Sequence, residues 1–438
     1  MSRVELVIEK LVYGGDGLAR LAASDGGQRA TTIFVPYVLP DERIEAALVE
    51  ERPGFARARL EQVVQASSLR VQPPCPYFGK CGGCHYQHAS YDAQLRFKSE
   101  ILRETLRRTA KLELAPNLQT HASPPLRYRN RTRFHLRTRP EFAIGYFRHG
   151  SHELLPVREC PISSPLINRA LVQLCARGEA GTVPGSIAEI ELFANANDGR
   201  LMVELYLRPG SSNRDELISF ARDFASLMPE VHGIVSFAPA EPRSRVEQRR
   251  TDLLDGEPAM AYDVAGESYR VSAGAFFQTN RHLVPRMLEI ALNGRKGRIA
   301  LDLYSGVGLF TVPLARRFER VIAVESSPLS SADLRANAPP NVKVSSQSTE
   351  AYLTAVAGTL KPELIVADPP RAGLGAKVCT QISKLAPQEI VYVSCDPATL
   401  ARDLQQLSSE AWRVAEMHLI DVFPQTFHIE TCTVLRRA

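Results

Sequence analysis

The pattern of hydrophobic and polar positions divides the chain into three parts. Residues 1–64 read as short strands separated by turns such as YGGDG, which predicts a small β-barrel. Residues 90–112 have the apolar spacing of a helix, and the stretch from 125 to about 275 is mostly strand-like, with a second helix predicted over 214–228. We therefore expect a central α+β domain after the barrel.

From about residue 297, apolar strands alternate with helices, which predicts a doubly wound α/β sheet. Ligands of such sheets bind outside the carboxyl ends of the strands. Four polar side chains fall at predicted strand ends, where we expect them to meet: Asp302, Glu325, Asp368 and Cys395. The predicted division is 1–64, 65–265 and 266–438, with the helix at 90–112 packed on the last part.

The composition limits the classes of protein to which the chain can belong. The 438 residues are 44% hydrophobic and 23% charged, which suits a multidomain globular protein. The chain has no apolar run of transmembrane length, and its N-terminus lacks the apolar core of a secretory signal. We expect a cytoplasmic protein with no membrane partner, and no feature indicates an obligate protein partner.

The net charge of +5 is modest, but arginines are concentrated between aromatic residues in RYRNRTRFHLRTR, residues 127–139. A basic stripe with aromatic side chains suits a nucleic acid. Arg129, Arg131 and Arg133 are the candidates for this contact. The alternative is a strand whose arginines line one solvated face.

Three of the eight cysteines, Cys75, Cys81 and Cys84, lie within ten residues. In a cytosolic chain such a cluster favours a metal site over disulfides. The isolated Cys175, Cys379 and Cys432 read as core residues.

Gly306 and Gly308 directly follow a predicted strand in DLYSGVGLF, where glycines let the backbone approach a ligand. Thr311 stands where the dinucleotide fingerprint has its third glycine, so a pyrophosphate is not indicated. Glu325, 23 residues after Asp302, can bind the hydroxyls of a ribose. S-adenosyl-L-methionine is the leading candidate, against the alternative of turn glycines and a surface glutamate.

Cys395 precedes a predicted helix that Asp396 caps and Pro397 begins. The partial positive charge of a helix start lowers a thiol pKa, an effect that Asp396 partly opposes. We expect Cys395 to be a nucleophile rather than a structural thiol. Either Glu430 or His428 can serve as a general base, or each can be a solvated strand-end side chain.

Together these residues resemble the RNA uracil-5-methyltransferases that use S-adenosyl-L-methionine. The motifs that carry the resemblance are SCDPATLARDL, FPQTFHIET, DPPRAGL, AGAFFQTN and DLYSGVGLFTVPLA, with CPYFGKCGGCHYQHASYDAQLRFK similar to the iron–sulfur segment of the ribosomal RNA branch. The resemblance implies an N-terminal OB-like TRAM barrel, a central α+β domain with a cluster, and a Rossmann-like class I methyltransferase domain.

The resemblance also implies roles for residues. Cys395 adds to carbon 6 of uracil, and Glu430 removes the proton from carbon 5. The cofactor positions are Gln278, Tyr304, Glu325 and Asp368, with Asp302, Gly306 and Gly308 shaping the pocket. Cys160 joins Cys75, Cys81 and Cys84 as ligands of a [4Fe–4S] cluster, although four thiolates also suit zinc.

The expected partner is RNA. A 23S ribosomal RNA substrate is preferred because barrel and cluster occur together; the T-loop uridine of transfer RNA is the alternative within the class. A different alternative is a non-catalytic RNA-binding or assembly protein with a decayed cofactor site. Its support is the atypical segment 325–353, where relatives carry a Gly-Asp pair near Gln347 and Ser348.

Overall fold

The computed structural model describes residues 3–21, 30–114, 118–210, 213–239 and 250–437. In these ranges the strands form sheets of six, seven and eight strands and one separate hairpin. The architecture is therefore a mixed α/β fold with an N-terminal β unit. No helix in these ranges combines the length and the apolar character needed to cross a membrane.

The N-terminal sheet has the order β1-β5-β6-β4-β3-β2, and four of its strands are short, as predicted, whereas β5 and β6 have 10 and 11 residues. Its strands are β1 (Arg3–Val7), β2 (Lys10–Leu11), β3 (Asp16–Leu21), β4 (Thr31–Pro36), β5 (Arg43–Arg52) and β6 (Phe55–Gln65). Alternate side chains, among them Ile33 and Val35 of β4 and Ile44 and Ala46 of β5, enclose one apolar core. This alternation is the pattern of a sheet with one buried face.

Helix α1 (Tyr91–Thr109) confirms the helix predicted over 90–112. The short strand β7 (Gln119–His121) follows it.

The central sheet has the order β10-β9-β8-β11-β12-β13-β14. Its elements are β8 (Arg131–Arg137), β9 (Ala143–Phe147), β10 (Leu154–Pro156), α2 (Pro165–Glu179), β11 (Ile187–Ala194), β12 (Leu201–Leu207), α3 (Arg214–Leu227), β13 (Val231–Ala238) and β14 (Arg250–Gly256). Apolar residues of α2 and α3 share one core with the sheet. Helix α3 confirms the prediction over 214–228, whereas α2 was missed. Its signals were present: Ser164 caps it through Ile167 N, Pro165 begins it, and its buried residues have helical spacing.

The C-terminal part begins with the hairpin and continues into alternating strands and helices. Its elements are β15 (Ala259–Val264), β16 (Glu267–Ser272), α4 (Val284–Leu292), β17 (Gly297–Leu303), α5 (Thr311–Ala315), β18 (Phe318–Val324), α6 (Pro328–Asn337), β19 (Val342–Ser345), α7 (Thr349–Ala355), β20 (Leu364–Ala367), α8 (Gly375–Leu385), β21 (Glu389–Ser394), α9 (Pro397–Ser409), β22 (Trp412–Ile420) and β23 (Glu430–Arg437). The strand order is β19-β18-β17-β20-β21-β23-β22-β7.

Helices cover both faces of this sheet, as a doubly wound fold requires. On β21, Ile390 and Tyr392 face the core that contains α1, α8 and α9, while Val391 and Val393 face the core that contains α4 and α5. A strand buried on both sides reads as a continuous apolar run. The apolar run of β21 is visible in the sequence, and the burial of both faces of the sheet accounts for it.

The three parts share cores across the predicted boundaries. The hairpin β15–β16 packs on both the central sheet and the C-terminal sheet, so the predicted boundary at 265 falls in its turn. Strand β7 joins the edge of the C-terminal sheet beside β22. Helix α1 packs against α9, as expected. The domain division remains a prediction, but these contacts join the units closely.

Candidate active site

The carboxyl ends of neighbouring parallel strands collect the predicted polar residues at one edge of the eight-stranded sheet. Asp302 is the last residue but one of strand β17, Asp368 directly follows β20, and Cys395 directly follows β21. Glu325 follows β18 next to them. This placement agrees with the prediction and follows from the strand order.

Glu430 reaches the same edge from the opposite direction. Strand β23 is antiparallel to β21, and its residue Thr431 pairs with Ser394. The first residue of β23, Glu430, therefore lies at the level of Cys395. The side chain of Glu430 is buried, with 5% exposure.

The segment around Cys395 has the predicted local structure. The Asp396 side chain accepts hydrogen bonds from Ala398 N at 2.9 Å and Thr399 N at 3.0 Å, and Pro397 begins α9. A capped helix start fixes the backbone at Asp396 and thereby the direction of the preceding thiol.

The pKa of the Cys395 thiol runs against the sequence expectation. Burial is the main cause that raises it to about 12, and the carboxyl groups of Glu430 and Asp368 add to the effect. Arg371 is the group that opposes this rise. The expected lowering by the helix start is therefore wrong for the ligand-free site, because desolvation by tertiary packing outweighs it.

The carboxyl groups at this edge are also perturbed. Burial raises the pKa of Asp302 and of Asp368 to about 7 each, and it raises the pKa of Glu430 well above its usual value. Gln278 Nε2 donates to Asp368 Oδ2 at 3.3 Å. Asp302 accepts from the Thr311 hydroxyl, whereas its Oδ1 is buried without a partner among the described residues. Such a group of unmatched ionisable side chains is typical of a functional site.

At the end of the site where we expect the cofactor, three residues of the turn after β17 have positive φ angles. Tyr304 has φ of 60°, and Gly306 and Gly308 have φ of 55° and 103°. Both oxygens of Glu325 are held by backbone donors, Gly306 N at 2.8 Å and Ser327 N at 2.7 Å. A turn held this way brings backbone groups to the sheet edge formed by the carboxyl ends of the strands. It also keeps the Glu325 carboxylate oriented towards that edge.

The atypical segment 325–353 has ordinary local structure. Ser348 lies near the position at which the resemblance implies an acidic residue, and it caps α7 by accepting from Ala351 N. Gln347 donates to Ser345 Oγ at 2.8 Å and is exposed. This corner therefore offers amide and hydroxyl groups to a ligand instead of a carboxylate.

Tyr13, in the turn between β2 and β3, was not anticipated in the site. Its hydroxyl donates to Asp396 Oδ2 at 3.0 Å, and its ring packs edge-on against Phe427 at 5.5 Å. No local sequence signal predicts this contact, because Tyr13 and Asp396 are 383 residues apart.

Arg371 was also missed, although it directly follows the ADPP motif. It donates to His428 Nδ1 at 2.9 Å. Burial, aided by Arg371, lowers the pKa of His428 to about 3. A ring with this pKa is uncharged at neutral pH and is a weak base, and Arg371 already donates to its Nδ1, so Glu430 is favoured over His428 as the proton acceptor.

The four predicted cluster cysteines line one cavity of about 210 Å³, together with Arg129. All four are free thiols. Burial raises the pKa of Cys81 to about 11 and also raises those of Cys75 and Cys84. Within the described ranges, no three His, Cys, Asp or Glu side chains are arranged to hold a metal ion. The tertiary fold brings the thiols to a common cavity but does not close them on one point.

The predicted RNA contacts lie in a different environment from the one expected. Arg131 is only 10% exposed and pairs with Glu191 and with Glu204, the latter at 2.9 Å. Arg133 is 38% exposed and bonds Glu191 at 2.7 Å. Arg129 donates to Arg131 O at 2.9 Å. Arg131 is thus occupied by intramolecular ion pairs; RNA contact by these three arginines remains a prediction.

Comparison with known proteins identifies the family. The tRNA (Uracil-5-)-methyltransferase model matches residues 90–438. The chain is 33% identical to the 23S rRNA (uracil(1939)-C(5))-methyltransferase RlmD of Edwardsiella ictaluri, over 97% of this chain and 93% of the relative. It is 32% identical to the enzyme of the same name from Halomonas elongata, over 99% of this chain and 89% of the relative.

A solved structure has the same fold over the whole chain. The crystal structure of Pyrococcus abyssi tRNA (uracil-54, C5)-methyltransferase in complex with S-adenosyl-L-homocysteine matches with a TM-score of 0.76 and 25% identity, covering 99% of this chain and 100% of that chain. The family model and the full-length relatives agree: the protein belongs to the tRNA (uracil-5-)-methyltransferase family and is an RNA uracil-C5 methyltransferase.

Proposed function

We propose that the protein makes 5-methyluridine in 23S ribosomal RNA from S-adenosyl-L-methionine, through a covalent bond between Cys395 and carbon 6 of the uracil. The observation that carries the mechanism is the meeting of Cys395 and Glu430 at one buried sheet edge, imposed by the pairing of β21 with β23. The full-length relatives named as 23S enzymes support the substrate.

The residues that face the methyl donor follow from the strand ends. Glu325 is positioned for the ribose hydroxyls, and Asp302 and the turn at Tyr304–Gly308 form the wall beside it. When bound, S-adenosyl-L-methionine supplies an electrophilic methyl group on a positively charged sulfur. Gln278 and Asp368, joined by a hydrogen bond, are the further positions that the resemblance assigns to the cofactor.

Cys395 begins the reaction as a thiolate that forms a bond to carbon 6 of uracil. The electron pair of the carbon 5–carbon 6 double bond then moves towards carbon 5, which becomes nucleophilic and takes the methyl group. The ligand-free site holds the thiol protonated, because burial and two carboxyl groups raise its pKa. Positive charge favours the thiolate, and Arg371 is the protein group that provides it.

Glu430 completes the reaction by accepting the proton from carbon 5. The double bond forms again, the carbon 6–sulfur bond breaks, and the thiolate of Cys395 is restored. A buried carboxylate with a raised pKa is a strong base once it is ionised. The released proton leaves from Glu430, so the cycle converts uridine and S-adenosyl-L-methionine into 5-methyluridine, S-adenosyl-L-homocysteine and one proton.

The test compares RNA substrates directly. Purified protein is incubated with methyl-labelled S-adenosyl-L-methionine and with either unmodified 23S RNA or unmodified transfer RNA, and the products are mapped for 5-methyluridine. We expect modification of 23S RNA alone. Labelling of transfer RNA alone would support the T-loop alternative, which the Pyrococcus abyssi structure favours. Labelling of neither would favour the non-catalytic RNA-binding alternative.

We further propose that Cys75, Cys81, Cys84 and Cys160 bind a [4Fe–4S] cluster. The support is the meeting of four free thiols at one cavity, including Cys160 from a distant part of the chain. A single zinc ion needs four sulfurs about 2.3 Å from one point, whereas a cluster binds each thiolate to a separate iron. Thiols spread around a cavity suit the cluster better.

Iron analysis tests this site. Anaerobically purified protein should contain about four irons and acid-labile sulfide and absorb visible light. Cys84→Ser should lose the iron, while Cys175→Ser, at a buried cysteine outside the cavity, should keep it. A colourless protein with one zinc would contradict the cluster.

A further inference from the structure

A second cavity, of about 420 Å³, opens at the far end of β8. It is lined by Arg137, Thr138, Arg139, Gly185 and Arg208, and we call it the arginine pocket. Arg137 ends β8, Arg208 follows β12, and Gly185 precedes β11, so one end of the central sheet forms the pocket. All three arginines are exposed.

The arginine pocket has no acidic residue in its lining. Among the described residues, no ion pair joins Arg137, Arg139 or Arg208 to a carboxylate, in contrast to Arg131 and Arg133 at the other end of the strand. Three uncompensated guanidinium groups create a local positive potential that attracts anions.

The pocket is partly ordered without a ligand. Arg208 Nη2 donates to Leu136 O at 2.8 Å, and Arg208 N donates to Ser186 O at 2.8 Å. The first bond holds one nitrogen of the guanidinium and leaves its other donors available, and the second fixes the backbone of Arg208. Thr138 adds a hydroxyl beside Gly185, where an added Cβ would lie 3.7 Å from Thr138 Oγ1. Converging, partly fixed guanidinium donors match the oxygens of a phosphate.

The pocket is connected to the active site by one strand. Asn130 N, just before β8, donates to Thr279 O beside Gln278 at 3.0 Å. The seven residues of β8 then span roughly 20 Å to Arg137, at about 3.3 Å per residue. This separation corresponds to several nucleotides from a base held in the active site.

We propose that the arginine pocket binds a backbone phosphate of the RNA substrate, several nucleotides from the target uridine. The proposal rests on the proposed function in taking RNA as the partner. A phosphate contact of this kind contributes affinity and register but reads no base. Within residues 127–139, the phosphate contact then belongs to Arg137 and Arg139 rather than to Arg131, which is paired with carboxylates.

The test measures RNA binding directly, with no methyl donor present. Fluorescence anisotropy with a 23S RNA fragment gives Kd over a series of salt concentrations for wild type and for R137A/R139A/R208A. We expect Kd to rise about tenfold, and the slope of log K against log salt to become shallower by about 0.7–0.9, the value for one lost phosphate contact. R137K/R139K/R208K should retain most of the slope.

Arg320→Ala is the matched control. Arg320 is exposed on β18, and no ion pair to it occurs among the described residues. Circular dichroism and thermal melting check that each variant folds. An arginine-to-alanine triple variant that folds and binds RNA with the slope of Arg320→Ala would overturn the proposal, as would a lysine triple variant that loses as much as the alanine one.

Turnover distinguishes this proposal from the proposed function. The alanine triple variant should raise KM for RNA about tenfold and leave kcat at saturating RNA within about twofold, since the pocket is remote from the reacting atoms. A wild-type protein that binds RNA through the pocket but methylates none would contradict the proposed function alone. A fall in kcat with unchanged KM would contradict the phosphate contact alone.

Discussion

Two groups of buried ionisable side chains flank the loop 273–279, and they differ in how their charges are balanced. On one side, Arg131 and Arg133 face Glu189, Glu191 and Glu204 of the central sheet. On the other side, carboxyl groups and a thiol meet at the sheet edge with one nearby arginine, Arg371.

The first group holds the loop. Arg131 donates to Ala275 O, and Gly274 N donates to Glu204 Oε1 at 2.9 Å. Burial would raise the pKa of Glu191, but Arg131 and Arg133 outweigh it and the pKa is lowered. Matched buried charges of this kind fix geometry, because removal of one member leaves its partners uncompensated.

The second group has the opposite balance. Burial raises the pKa values of Cys395, Glu430, Asp368 and Asp302, and few hydrogen bonds or cations offset it. The raised pKa values favour the protonated forms of these side chains, and a bound ligand can change their protonation. The comparison teaches that balanced charges support structure here, whereas unbalanced ones are available for chemistry.

The largest expected effect comes from the unbalanced group. Cys395→Ala should abolish methyl transfer and the covalent RNA–protein adduct, because no other described thiol lies at this edge. Labelled methyl transfer and denaturing gels measure both. RNA affinity and thermal stability should stay near wild type. Retained turnover would remove Cys395 as the nucleophile.

Glu430→Gln should slow turnover by about 10²–10⁴ and cause the adduct to accumulate, because the proton on carbon 5 loses its acceptor. Denaturing gels of the enzyme mixed with RNA and methyl donor detect the adduct. His428→Gln is the matched control for the alternative base, and this variant should accumulate much less of the covalent adduct. Normal release of product by Glu430→Gln would exclude the assigned role.

In the balanced group, Arg131→Met should lower the free energy of unfolding by about 3–5 kcal/mol, since Glu191 and Glu204 are left buried without this partner and burial already raises the pKa of Glu204. Urea denaturation measures the loss. The control is Arg298→Met, which breaks an exposed pair with Glu363 and should change stability by less than about 1 kcal/mol. Equal losses would contradict the distinction between the two groups.

Stability should also depend on pH through the unbalanced carboxyl groups. Asp302 and Asp368 have folded pKa values of about 7, so the folded protein keeps protons that the unfolded chain loses near pH 4. Their contribution is complete below about pH 4 and is lost as pH rises to 7, on the order of 4 kcal/mol for each group. Urea denaturation across this range measures it for the ligand-free protein. Asp302→Asn should flatten the curve, and an unchanged curve would contradict the raised pKa.

The smallest expected effect concerns Tyr13. Tyr13→Phe should reduce kcat by about 2- to 10-fold, because one hydrogen bond of about 0.5–1.5 kcal/mol no longer holds Asp396 beside the thiol. Steady-state kinetics measure kcat, and KM for RNA should change little. Tyr37→Phe is the control, since the Tyr37 hydroxyl is buried without a partner among the described residues. A larger effect at Tyr37 would contradict the assigned contact.

Much of the catalytic edge was predictable from local sequence. Asp302, Glu325, Asp368 and Cys395 follow apolar runs that form parallel strands, and parallel strands end at one edge. The cap of Asp396 on α9 was likewise visible as an Asp-Pro pair before a helical pattern. Helix α2 was missed although Ser164 and Pro165 marked its start.

The sequence by itself determined which side chains stand at strand and helix ends, because these positions depend on neighbours a few residues away. Tertiary structure decided their charges and partners. It raised the pKa of Cys395, enclosed Arg131 between carboxylates, and brought Tyr13 to Asp396. It also brought Cys160 to the cavity of the other three cysteines and placed Arg137 in a pocket whose described lining contains no carboxylate. Burial and long-range charge depend on the packing of distant segments, which no local pattern records.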